Sequence, residues 1–224
     1  MERLICVAIG YVFGLFQTAF IYGKAHGIDI REHGSGNSGT TNALRVLGKK
    51  AGLIVFLGDL LKCALAVWVT KLIFGESHPD TVYLLSLYAA AGAILGHNFP
   101  FYMGFKGGKG IAATAGMVVA LHPYYIPVCA TLFFVVFFVT HYVSLGSLLL
   151  YVGVVVETII LGQLGVFEPA SQETLIEMYV LAFALAAMAF WRHRENIKRL
   201  VRGEERKTYL TKKNKLDVEK KEEK

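Results

Sequence analysis

The sequence predicts an all-α, polytopic integral membrane protein of seven transmembrane helices, with its N-terminus outside and its C-terminus cytoplasmic. Three observations predict this: composition, a recurrence of apolar runs of spanning length, and a one-sided distribution of lysine and arginine. The 224 residues are 54% apolar and 18% charged, whereas a soluble domain is about 45–50% apolar and about 25% charged. Much of that charge lies in the last thirty-odd positions, so the remainder is more apolar still. A net charge of +6 on a soluble fold would suggest nucleic acid. Here the basic residues lie between apolar runs, which fits anionic lipids and anionic small substrates instead and gives no nucleic-acid partner.

A spanning helix needs roughly 20 mostly apolar residues. Residues 4–22 supply the first. Met1-Glu2-Arg3 is a weak start for a cleaved leader and no small-residue cleavage pattern follows, so this run is read as retained. Residues 52–74 form the second span and 81–96, slightly short, the third. The long run 111–140 is divided by His122-Pro123, because proline disfavours helix continuation and restrains the residue before it. It is read as a short fourth span over 111–121 and a fifth over 124–140. Eleven residues cannot cross the hydrocarbon unaided, which makes the fourth the weakest element. Residues 144–161 and 175–191 complete the seven. Residues 1–206 form the membrane domain, and 207–224, rich in Lys and Glu, read as a solvated tail. Cys6, Cys63 and Cys129 are isolated within apolar runs and read as small buried hydrophobes.

With seven spans, twenty of the 23 Lys and Arg residues fall on one side, and the exceptions are Arg3, Lys62 and Lys71. The positive-inside rule places that side in the cytoplasm. Within the second span, Asp59 and Lys62 stand at i, i+3. Ionisable groups at membrane depth are costly and usually paired, so they read as an ion pair that positions the first inner loop.

The inner loops carry the chemistry. The first reads His33-Gly34-Ser35-Gly36-Asn37-Ser38-Gly39-Thr40-Thr41-Asn42, followed by Arg45. Its glycines permit positive φ and close backbone approach, so that successive N–H groups can enclose an anion. Asn42 or a nearby threonine is expected to cap the helix running to Arg45. The second reads Gly96-His97-Asn98-Phe99-Pro100-Phe101, then Phe105-Lys106-Gly107-Gly108-Lys109-Gly110 before an apolar helix. This is a phosphate-binding pattern, although not the spacing of a nucleotide P-loop. The third pairs Ser144 and Ser147 with His193-Arg194-Glu195-Asn196-Ile197. On a helix, His193, Asn196, Ile197 and Leu200 share one face.

Together these three blocks resemble the acyl-phosphate-dependent glycerol-3-phosphate acyltransferases of bacterial membranes, the PlsY family, over roughly residues 1–206. The resemblance implies a seven-span fold and transfer of a fatty acyl group from acyl phosphate to the 1-hydroxyl of glycerol 3-phosphate. The products would be lysophosphatidate and phosphate, in the first step of phospholipid synthesis at the cytoplasmic face of the bacterial inner membrane, without cofactor or metal. On this reading Ser35, Arg45, Lys109, Ser144, His193 and Asn196 bind glycerol 3-phosphate. Ser35, Lys109, Ser144 and His193 are the candidate catalytic groups. Gly36, Asn37, Lys106, Gly107, Gly108 and Gly110 cradle the acyl phosphate. The nucleophilic hydroxyl gives its proton to a substrate phosphate, or to His193. Two other classes fit the sequence less well. A CDP-alcohol-type phosphotransferase needs clustered aspartates for a divalent metal, whereas Asp29 and Asp59 are far apart in sequence. A phosphate-ester transporter would show internal repeats and a midplane site, whereas the glycine-rich basic loops gather at one face.

Overall fold

The computed structural model describes residues 1–210, which are helical with no strand. In chain order the helices are α1 (Glu2–Gly14), α2 (Thr18–Ala25), α3 (Thr40–Leu47), α4 (Lys49–Phe74) and α5 (Val82–Asn98). They continue as α6 (Ile111–Leu121), α7 (Tyr125–Thr140), α8 (Val143–Gln163), α9 (Gln172–Arg192) and α10 (Arg194–Val201), and short 3-10 turns form at Ile30–Glu32 and Phe101–Met103. By length and composition, five helical stretches can cross a membrane: Glu2–Ala25, Lys49–Phe74, Val82–Met103, Val143–Gln163 and Gln172–Arg192. The seven expected spans differ from these five by α6 and α7, the two halves separated at His122-Pro123, which are apolar but shorter.

The expected first span is broken. Leu15 to Gln17 separate α1 from α2, and backbone freed at membrane depth must find partners within the protein. Gln17 supplies them: its buried Nε2 donates to the carbonyls of Gly14, Gly96 and His97 at 3.1–3.2 Å. The Phe16 carbonyl accepts from Lys62 Nζ at 2.7 Å.

α1 packs directly on α5 through two pairs of glycines one turn apart. A Cβ on Gly10 would stand 1.9 Å from the Ala89 carbonyl oxygen, and one on Gly92 would stand 2.2 Å from that of Val7. Gly14 and Gly96 are equally tight. Small residues at this spacing let helix backbones touch where lipid offers no hydrophobic driving force.

The short α6 ends within reach of Lys71 on α4, whose Nζ donates to the carbonyls of Ala120 and Leu121 at 2.8 and 2.7 Å. These are orphan acceptors of a helix C-terminus, and a lysine is the right complement for them. Glu157 of α8 is met by Cys129 of α7, whose Sγ lies 3.0 Å from Oε2. All three cysteines are free and buried. At the end carrying the N-terminus, Arg3 donates twice to Glu177 of α9 at 2.6 Å, and Tyr88 of α5 donates to the same carboxylate at 2.7 Å.

Candidate active site

Four helices begin at one place, at the opposite end from Arg3. α3 starts at Gly39, α6 at Gly110, α8 at Tyr142 and α10 at His193, and none of these starts has a side-chain cap. The expected cap by Asn42 is absent. Asn42 is spent on the preceding loop: Oδ1 accepts from the Ser35 amide at 2.8 Å, and Nδ2 donates to the carbonyls of Ile30 and His33. That bonding folds the 33–36 segment back, with Gly34 and Gly36 at φ +63° and +70°. The uncapped N–H groups leave a partial positive charge at each helix start.

The four starts surround a cavity of about 530 Å³. Arg45 enters it from α3, Lys109 from the glycine loop, Arg192 from the end of α9 and Arg199 from α10. Burial lowers the Lys109 ammonium to about 8, with Glu205 opposing and Arg199, Arg192 and Arg45 adding to the shift. Arg45 is lowered too, first by burial and then by Arg206. Burial and the neighbouring Lys109 hold His193 at about 4, so its ring is neutral at pH 7. Its Nδ1 lies 2.8 Å from the Ala189 carbonyl and must carry the proton, which makes Nε2 an acceptor. Thr40 Oγ1, Asp59 Oδ2 and Arg192 Nε, on residues lining this cavity, are buried without a partner among the described residues. Unpaired polar atoms in a basic cavity are what an anionic, hydroxyl-bearing ligand would satisfy.

All six residues expected to bind glycerol 3-phosphate line this one cavity: Ser35, Arg45, Lys109, Ser144, His193 and Asn196. Lys109 Nζ contacts Asn196 Oδ1, which joins the second and third sequence blocks. Of the expected acyl-phosphate cradle, Gly36, Asn37 and Gly110 line the cavity. Lys106, Gly107 and Gly108 do not. Lys106 is exposed, following the turn at Phe105 with φ 60°. The Gly107 and Gly108 amides already donate to the Asn98 and His97 carbonyls at 3.1 Å, and their own carbonyls accept from Arg192. These two glycines therefore close the loop against α5 and deliver Lys109, with no N–H left for a ligand. Both Ser144 and Ser147 line the cavity, but Ser147 donates to its own helix at the Val143 carbonyl, whereas Ser144 donates to Glu205.

Sequence reasoning missed the carboxylate of the site. After Gly203, at φ +71°, the chain turns back across the cavity mouth. Glu205 accepts from Asn196 at 2.7 Å, Arg199 at 2.8 Å and Ser144 at 3.2 Å. Thr208 accepts from Arg45 at 2.6 Å, and its amide donates to the His141 carbonyl. A carboxylate beside a run of Lys and Glu reads as solvated; only the turn at Gly203 hinted at a return. Residues 211–224, the rest of the expected tail, lie outside the described residues.

A family model described as glycerol-3-phosphate acyltransferase matches residues 4–203. The chain belongs to that family. The glycerol-3-phosphate acyltransferase of Bacillus cytotoxicus is 37% identical over 209 residues, covering 92% of this chain and 96% of that protein. The one from Clostridioides difficile is 38% identical over 205 residues, covering 91% and 94%. Two crystal structures of PlsY, an integral membrane glycerol 3-phosphate acyltransferase, share the fold. The glycerol 3-phosphate form has a TM-score of 0.78 at 31% identity, covering 93% of this chain and 96% of that one. The lysophosphatidic acid form has a TM-score of 0.76 at 30% identity, covering 94% and 97%. In this acyltransferase the family match ends at Gly203, yet Glu205 and Arg206 line the cavity and Thr208 accepts from Arg45.

Proposed function

We propose that this acyltransferase moves a fatty acyl group from acyl phosphate to the sn-1 hydroxyl of glycerol 3-phosphate, releasing lysophosphatidate and phosphate. The observation that carries the reading is the convergence of four uncapped helix starts and four basic side chains on one cavity, which is large enough for two phosphoryl groups. Arg45, Lys109, Ser35 and Asn196 hold the glycerol 3-phosphate phosphate. The starts of α3 and α6, with Gly36, Asn37 and Gly110, hold that of the donor.

Acyl phosphate is an activated anhydride, so positioning and stabilisation of developing charge suffice. The hydroxyl oxygen attacks the acyl carbon, the carbon–oxygen bond to phosphate breaks, and the hydroxyl proton leaves with the phosphate. The neutral His193, with Nε2 open as an acceptor, orients that hydroxyl. Ser144 stands beside it.

The cavity opens at the end of the molecule opposite Arg3 and Glu177. The lysine and arginine distribution supports a cytoplasmic cavity, an external N-terminus and seven crossings, with α6 and α7 each crossing. Lys71 at the end of α6 supports this count, because a capped helix end tolerates membrane depth.

Supplying palmitoyl phosphate, palmitoyl-CoA and palmitoyl-acyl carrier protein in parallel to purified enzyme tests the donor. Only the first should be consumed with glycerol 3-phosphate; preferential use of either thioester would overturn the assignment.

A further inference from the structure

Behind the cavity is a buried polar cluster that the mechanism above does not use. Lys62 Nζ has three acceptors around it: the Phe16 carbonyl at 2.7 Å, Asp59 Oδ1 at 2.8 Å and His97 Nδ1 at 2.8 Å. An ammonium has three N–H bonds and no lone pair, so each acceptor takes one. Asp59 Oδ1 also accepts from Thr18 at 3.1 Å and lies farther from His97 Nδ1, at 3.6 Å. His97 Nδ1 is therefore an acceptor, and the neutral ring carries its proton on Nε2.

That nitrogen has no partner among the described residues. It stands 2.0 Å from where a Cβ on Gly108 would be, so only glycine leaves it room. His97 is 3% exposed yet lines the cavity, together with Phe56, Asp59 and Phe133. Its carbonyl is already used by Gly108 and Gln17, and its Nδ1 edge faces Lys62. Of its two ring nitrogens, Nε2–H is the one left for a ligand.

We infer that His97 donates this N–H to the carbonyl oxygen of the bound acyl phosphate, and that Lys62 and Asp59 are positioning residues that set its tautomer. The inference rests on the acyl-phosphate reading of the cavity. The donor's phosphate is drawn to the helix starts and Lys109, and its alkyl chain to Phe56, Ile111, Ala112 and Phe133. The carbonyl between them then falls to His97, which lines the same cavity. The carbonyl oxygen is uncharged before reaction, and the Lys62 ammonium, 2.8 Å from Asp59, offsets that carboxylate as charge develops. The carbonyl oxygen becomes negative as the hydroxyl oxygen bonds to carbon, and returns to neutral when the bond to phosphate breaks. A neutral donor aimed at that oxygen acts mainly in the transition state. No proton passes to or from the ring.

The test uses the full chain in lipid nanodiscs with palmitoyl phosphate and glycerol 3-phosphate. His97→Ala should lower kcat by about 100-fold, the usual effect of removing one such donor, with both KM values nearly unchanged. His97→Gln, whose amide nitrogen reaches the place of Nε2, should recover about a tenth or more of the wild-type kcat. In Lys62→Met, Asp59 can take Nδ1–H and leave a lone pair on Nε2. Its kcat should then rise as pH falls from 8 to 6 and the ring takes a second proton, a trend absent from wild type. A purely structural role would give an equal loss at every pH.

Nitrogen-15 NMR of histidine-labelled wild-type enzyme reads the tautomer directly, whether or not the variants fold. Protonated Nε2 and bare Nδ1 are expected, and the opposite assignment overturns the proposal. So does a His97→Ala variant with wild-type kcat. Failure of wild type to consume palmitoyl phosphate would instead sink the donor assignment on which this one rests.

Discussion

Lys109 carries more of the proposed site than any other single side chain, because it joins the glycine loop to α10 and faces both phosphate places. Lys109→Ala should lower kcat/KM by about 100-fold or more, the scale of losing a hydrogen-bonded charge contact to a phosphate. With its ammonium lowered to about 8, the charged form that attracts phosphate is present below that pH and lost above it. The kcat/KM of wild type should therefore fall as pH rises past about 8, and Lys109→Arg should move the fall upward. His193→Ala should lower kcat with little change in the KM for acyl phosphate. Near-wild-type kcat/KM in both alanine variants would overturn the site assignment. Glu205→Ala leaves donors on Ser144, Asn196 and Arg199 unpaired, at a cost of about 2 kcal/mol or more. Lower thermal stability in detergent and lost activity should appear together. Ser35, Arg45, Ser144, His193 and Asn196 were legible as a set through the resemblance of their three sequence blocks to a known family. Lys109 is the better-placed lysine already in sequence, because it precedes a helix start, and the backbone turn at Phe105 leaves Lys106 exposed. The Asp59–Lys62 pair was expected from spacing; its third member, His97, was not, because its contact is made between helices.

At the scale of elements, the apolar run lengths gave α4 through α9 to within a few residues, since spanning length and the His122-Pro123 break are local properties. The break at Gln17 was not legible. Its three acceptors belong partly to α5, and nothing within residues 4–22 announces them. The same holds for Gly10, Gly14, Gly92 and Gly96, whose spacing is visible but whose partnership is a tertiary fact. Gly14→Val would place a Cβ 2.2 Å from the Ala93 carbonyl oxygen and should separate α1 from α5. The expected outcome is a loss of folded protein in thermal unfolding, whereas Gly27→Ala, with open space around its Cβ but positive φ, should cost only about 1 kcal/mol. Lys71→Met strips the end of α6 of its two donors and should lower stability without changing the KM for glycerol 3-phosphate.

For the whole molecule, three sequence blocks far apart in the chain were expected to meet, and Lys109 contacting Asn196 brings two of them together while Ser35 and Arg45 supply the third. The side of the membrane follows from charge and calls for its own measurement. Single cysteines at Lys106 and Glu168, in a cysteine-free background, should be labelled by impermeant reagent from opposite faces of sealed vesicles. Labelling from the same face would remove the proposed crossing count. Composition and motif order thus reached the fold class and most of the cavity. What escaped was every contact made by the segment after α10, because a short charged stretch has no periodicity from which docking can be inferred.

The turn at Gly203 also matters for anyone handling the protein. The end of the family match would invite a stop codon or an affinity handle immediately after it, yet Arg45 and the α7–α8 corner are anchored downstream, at Thr208. A fusion inserted at 204 should yield membrane-inserted but inactive material, whereas one attached beyond Leu210 should preserve turnover. The practical end of this enzyme is set by its hydrogen bonds, several residues past the point where the family match stops.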